Sequence, residues 1–164
     1  MTTAAPVNTK TAPHRELEFG SIADIAEELG RIEAAHAAGT LSHTGNWTAG
    51  QIMDHCAKLF VAALDGGEKA FPAPMIWLIR AAFFKSAMGP KPMPRGFKAP
   101  KSFQPAPEVD FSTGLQHLRS RVNRVLHGEK MTHPSAIFGK MTHDQWEMIQ
   151  RKHCAMHLGF LKYD

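Results

Sequence analysis

Cysteine is scarce in this chain: two in 164 residues, Cys56 and Cys154. Two thiols cannot build a disulfide framework, and their scarcity fits a reducing compartment. No apolar run approaches the roughly 20 residues that a helix needs to cross a bilayer. Met1–Pro13 is rich in Thr, Ala and Pro and lacks the apolar segment of about 7–15 residues that marks a signal peptide. The expectation is a disordered tail over residues 1–17, one domain over 18–164, a cytoplasmic location and no membrane partner. Strand patterning and internal repeats are missing too.

Charge of one sign is in modest excess. The net charge is +4, from 19 Lys and Arg against 15 Asp and Glu. The basic residues are scattered apart from a few mid-chain, so no nucleic-acid footprint is drawn and no nucleic-acid partner is expected. A hydrophobic share of 43% is ordinary for a globular chain, and the length suffices to bury a core without staples.

What is present is helical periodicity with punctuation. Ser21 caps a first helix that runs to about Ala38, and Asp24 places a carboxylate in its first turn. Ile22, Ile25, Leu29 and Ile32 form its apolar face, and Gly39 ends it. Thr48 with Gln51 makes a capping box for a second helix, with Trp47 in the position of a hydrophobic staple. Its stripe runs Ile52, His55, Leu59, then Ala62 or Ala63, and Gly66-Gly67 stops it.

A long connection, Glu68–Pro107, follows. It holds an amphipathic stretch, Met75–Met88, with Ile76, Ile79 and Phe83 on one side. Then comes a Pro-rich segment, Gly89–Pro107, bearing Lys91, Arg95, Lys98 and Lys101. That composition predicts an extended, polyproline-like crossover, a solvated strap along the helices. A third helix starts near Asp110 or Ser112 and runs to His127, with Leu115, Leu118, Val122 and Val125 inward. After a turn containing His133-Pro134, Thr142 and Gln145 cap a fourth helix whose stripe is Trp146, Ile149, Met156 and Phe160. Four main helices without strands predict an all-α, four-helix bundle.

The chemistry lies in the histidines, ten in all. His153 and His157 sit four apart on the last helix, one above the other on the face that carries its apolar stripe. His55 lies about two turns inside the second helix, near its buried face. A lone His-x-x-x-His pair arises easily in a chain so rich in histidine. Three inward imidazoles on two capped helices are different, because burying them unpaired costs free energy and one metal ion satisfies all three. Neutral imidazoles suit zinc, nickel, iron or copper. Three protein ligands leave a position open for water or substrate. His-Glu-x-x-His chemistry is excluded, because position 154 is Cys. Cys56 and Cys154 read as small core residues, with a Cys154/His157 ligand pair as the competing reading. His36 could approach the site from the first helix. Gln51 and Gln150, one turn from ligands, are candidates to support them from behind.

The arrangement of one His on helix two and His-x-x-x-His on helix four resembles the DinB-like (YfiT-like) superfamily of metal-binding four-helix bundles. Trp47-Thr-Ala-Gly-Gln51-Ile-Met-Asp-His55 is similar to its helix-two signature. His133-Pro134, Phe138-Gly139-Lys140-Met141-Thr142, Trp146, His153 and His157-Leu158 resemble one branch, whose members are mostly domains of unknown function. The likeness covers roughly residues 18–161. It implies an up-down-down-up bundle with the long crossover between helices two and three. It also implies a divalent metal, zinc or nickel, on His55, His153 and His157, and homodimers. Relatives that use low-molecular-weight thiols imply that a thiol cofactor can enter.

The reading adopted is a divalent-metal-binding helical bundle acting as a metal-dependent enzyme on a small-molecule substrate, either a thiol S-transferase or a hydrolase. No general base is assigned. The alternative is a non-catalytic helical interaction module without a bound metal, using Met75–Met88 and the basic crossover. A third reading gives Met75–Met88 to a membrane interface.

Overall fold

The structure, a computed structural model, describes residues 6–67, 71–96 and 101–163. It is mostly helical. Four helices of 16 residues dominate: α1 (Ile22–Ala37), α2 (Ala49–Leu64), α5 (Phe111–Leu126) and α6 (His143–Leu158). Each begins where a side chain satisfies its orphan amides. Ser21, Thr48 and Thr142 accept from the backbone three residues on, and Asp24, Gln51 and Gln145 reach back to complete reciprocal capping boxes. Asp110 caps α5 through the Thr113 amide at 2.7 Å. Gly39, with φ 73°, turns the chain out of α1 in a conformation that a side chain would strain.

These helices close a ring of contacts: α1 on α5, α5 on α2, α2 on α6, α6 on α1. Inside lie Ile25, Leu29, Ile32, Phe60, Leu118 and Leu158, all fully buried. Each such side chain stabilises the fold by about 1.5–3 kcal/mol. The closest crossing is made without side chains. A Cβ on Gly50 would meet the backbone oxygens of Asp110 and Val109, the latter at 2.7 Å. A Cβ on Gly114 would meet the backbone of Gly50, with its Cα at 2.7 Å. So α2 and the start of α5 touch backbone to backbone.

Among the described residues, one short ladder breaks the all-α expectation. β1 (Ser42–His43) pairs antiparallel with β2 (Leu161–Lys162), in register Ser42↔Lys162 and His43↔Leu161. Two residues per strand leave no alternation to read in the sequence. The stretch read as a tail also engages the helical body where it is described. Ala12 is buried, His14 Nε2 donates to the Met156 carbonyl at 2.7 Å, and Arg15 reaches Glu28 at 2.6 Å. Glu28 is buried and also accepts from Arg31 at 3.0 Å and Tyr163 at 2.8 Å, so three donors satisfy its charge. Residues 1–5 lie outside the described residues.

The connection between α2 and α5 holds α3 (Ala73–Ile79), a π-helical turn (Arg80–Phe84) and a last turn, α4 (Lys85–Ala87). A π turn inserts one extra residue and shifts the helix face. Ile76 and Ile79 point toward the body as expected. Phe83, expected with them, is 61% exposed. Phe84 takes its place and meets the Phe138 ring edge-on at 5.4 Å. The Pro-rich strap then runs beside α2. Lys98 of that strap lies outside the described residues. No helix among the described residues is long and apolar enough to cross a membrane.

Replacing Gly114 by Ala should cost about 2–3 kcal/mol by overpacking, a fall in Tm on the order of 5–10 °C. Gly30→Ala is the contrast, since a Cβ there meets nothing within 4 Å. It should raise stability by up to about 1 kcal/mol. Thermal unfolding of the two variants checks both signs.

Candidate metal centre

The site forms where α2 faces α6. Capping by Thr48 sets the phase of α2, and capping by Thr142 sets that of α6. Both phases turn imidazoles toward each other. His55 Nε2 lies 3.0 Å from His157 Nε2 and 3.1 Å from His153 Nε2. The candidate ligand atoms of His55, His153 and His157 all fall within 4.8 Å of one another. Three nitrogens bound tetrahedrally at about 2.0–2.1 Å from one zinc ion would lie about 3.3 Å apart. The observed spacing is close to that, so these three histidines could hold a metal ion.

The chain sets the chemistry of each ring. His55 Nδ1 donates to the Phe103 carbonyl at 2.6 Å. That bond fixes the proton on Nδ1 and leaves the Nε2 lone pair facing the cluster. Burial holds all three rings neutral. It lowers the pKa of His55, although the Phe103 bond works the other way. It pushes His153 down to about 3, with His55 adding to the effect. It takes His157 well below its ordinary value, with His153, His55 and His14 contributing. Neutral imidazole is the metal-binding form.

His153 is buried, and its Nδ1 has no hydrogen-bond partner. Gln150, three residues earlier on α6 and fully buried, has none for either amide atom. Buried polar atoms are normally satisfied, so this end of the cluster carries unspent hydrogen-bonding capacity. Gln51 is used differently. Its Oε1 accepts the Thr48 amide at 3.0 Å and its Nε2 donates to the Pro107 carbonyl at 2.9 Å. It therefore ties the strap to the start of α2. Lys58, a further turn along, donates to the Gln104 carbonyl. Gln51, His55 and Lys58 thus share one face of α2 and bind the strap carbonyls of Pro107, Phe103 and Gln104 respectively.

Next to His157 opens a cavity of about 360 Å³, walled by Trp47, Ile52, Met156 and Phe160, with Asn46 and Gln104 as its amide-bearing groups. The Trp47 ring stands 4.8 Å from His55 and 5.8 Å from His157. Trp47 was readable only as a staple residue, and the Phe103 carbonyl not at all. A backbone acceptor supplied from far along the chain leaves no mark in residue type. Cys56 and Cys154 are fully buried and lie outside the ligand cluster. Burial pushes the Cys56 thiol up, and its hydrogen bond with Cys154 does so further. His36 stacks on Phe111 at 3.6 Å and takes no part in the cluster. His117 pairs with Asp54 at 2.8 Å.

A family model matches the chain over residues 11–164. The chain belongs to the DUF1569 family, described as a protein of unknown function. No curated protein and no solved structure matches it. For this DUF1569 chain the site must therefore be read from its own geometry.

The depressed histidines make a pH prediction for metal-free protein. Unfolded, His153 takes up its proton below about 6.5; folded, it resists until about 3. Stability is present above the first value and is lost as pH falls toward the second. Tm should fall between about pH 6.5 and pH 5, ahead of most carboxylates, and His153→Leu should flatten that slope. A wild-type Tm that stays constant across this window would rule out buried neutral imidazoles.

Proposed function

We propose that the protein is a divalent-metal-binding four-helix bundle of the DinB-like (YfiT-like) kind, running up-down-down-up, and that it works in the cytoplasm as a metal-dependent enzyme. The observation that carries this reading is the convergence of three neutral Nε2 atoms from two helices, with an apolar-walled cavity against one of them. His55, His153 and His157 are the proposed ligands, and zinc or nickel the proposed ion. Three ligands leave one side open toward the cavity. The ring of helix contacts and the long crossover support the bundle topology.

A divalent ion bound there supplies Lewis acidity and lowers the pKa of a water or thiol drawn to it. The protein does the rest. Phe103 holds the His55 tautomer. Gln150 would be the acceptor for His153 Nδ1–H if that ring held the ion through Nε2, since both groups are buried without partners. Trp47, Met156 and Phe160 keep bulk water from the open side, and Asn46 holds the cavity rim by bonding the Val7 amide and carbonyl at 2.6 and 2.9 Å. Among the described residues, none that lines the cavity is a carboxylate. A thiol S-transferase or a hydrolase is the enzyme class that would suit such a lining, with His55, His153 and His157 holding the ion.

Elemental analysis of tag-free protein purified without chelator tests the reading. About one equivalent of a transition metal is expected, and none in His157→Ala or in the triple alanine variant of His55, His153 and His157, with helical circular dichroism kept. Gln150→Leu should bind metal about 10–100-fold more weakly. Full occupancy in His157→Ala would sink the site. No metal in wild type, even after incubation with zinc and nickel, would assign the bundle to a non-catalytic interaction role.

A further inference from the structure

The helix α3 is Ala-Pro-Met-Ile-Trp-Leu-Ile, without one polar side chain. It lies on the surface, and none of its residues is fully buried. Ile76 and Ile79 lean on the body, while Trp77 is 72% exposed, Leu78 62% and Met75 46%. Phe83, turned outward by the π turn, adds a fourth large apolar group. A helix apolar on every side belongs in a core or against a lipid phase, and apolar patches of this kind mark interaction surfaces.

Charge says what covers it. From residue 69 to residue 107 the sequence holds seven Lys and Arg and not one Asp or Glu. The remainder of the chain carries twelve Lys and Arg against fifteen Asp and Glu. The cationic excess is thus concentrated in the segment that exposes the apolar side chains. Arg80 is committed to the body through the carbonyls of Phe138 and Lys140, at 2.6 and 3.0 Å. Lys85 and Lys91 are exposed. A second copy docking on this face would bring like charges together. An anionic bilayer surface satisfies both features, because it accepts apolar side chains at the acyl boundary and attracts lysines at the headgroups.

We propose that Phe71–Met88, with its own Lys85 and with Lys91 just beyond it, is an interfacial element that docks the protein on anionic membranes, inserting Trp77, Leu78 and Phe83. This inference is independent of the metal site. It takes up the third sequence-based reading, which gave Met75–Met88 to a membrane interface, over the expectation of no membrane partner, because the structure turns Trp77, Leu78 and Phe83 outward.

Co-sedimentation of the full chain with vesicles tests it, using phosphatidylcholine alone against an equimolar mixture of phosphatidylcholine and phosphatidylglycerol. Wild type should partition at least about tenfold better onto the mixed vesicles, with a blue shift of tryptophan emission, and salt should weaken it. Substituting Trp77, Leu78 and Phe83 together by Ser should cost at least about a hundredfold. Lys85→Glu with Lys91→Glu, which changes only exposed groups, should cost about tenfold or more and reduce the salt dependence. The proposal is overturned if wild type does not pellet with mixed vesicles, or if both variants bind as wild type does. It is equally overturned by a concentration-dependent dimer in sedimentation equilibrium that the Ser variant abolishes while vesicles stay unbound, which would give the face to a second copy.

Discussion

Three imidazole rings facing one another inside a helical protein have to be kept neutral, oriented and close, and much of this fold serves that requirement. Charging any one of them would place a cation against two others in a region poor in water. The two long helices that bear them are therefore phased by capping boxes and held at both ends. The start of α2 is pinned by its backbone contact with α5 at Gly50 and Gly114. The end of α6 is gripped by His14 and Arg15, which bond the carbonyls of Met156, Leu158 and Leu161. The Trp146 indole anchors the other end to the His133 carbonyl at 2.9 Å.

Much of this was legible in the amino acids, for reasons tied to spacing. Capping boxes are local patterns of four residues, so Thr48-Gln51 and Thr142-Gln145 announce helix starts without reference to anything distant. The pair His153 and His157 shows itself by helical period, and His55 by its place on an apolar stripe. What escaped reading depends on partners far away in sequence. Phe103 contributes a carbonyl and not a side chain. Trp47 satisfies a staple and a cavity wall with the same ring. Gly50 and Gly114 look like weak points of two helices until the helices are laid together. The π turn moved Phe83 out and Phe84 in, a shift of one residue that strict helical period cannot foresee. Gln51, proposed from spacing to stand behind a ligand, is spent on the helix cap and the strap.

Electrostatically the chain has two parts. The four long helices and their ends carry the carboxylates, including buried Glu28 with its three donors and Asp54 with His117 and Lys58. The connection between α2 and α5 carries cations and exposed apolar groups. Its prolines withhold backbone donors, so the strap meets the body through its carbonyls, and donors on α2 and α6 reach out to it. Lys152, next to His153, bonds the Ala87 and Gly89 carbonyls at the far end of α4. The surface segment is thus laced to both helices that bear the site.

That lacing turns the Phe103 carbonyl into a mechanical input. The same proton that His55 offers to Phe103 decides which of its nitrogens faces the centre. A shift of the strap would change which His55 nitrogen faces the centre, and an ion held there would favour the strap position that keeps this bond. Coupling of this kind is reciprocal by thermodynamic necessity: each event alters the other's equilibrium by one common factor. A single shared hydrogen bond of 2.6 Å gives the chain a gearing between its outer face and its interior.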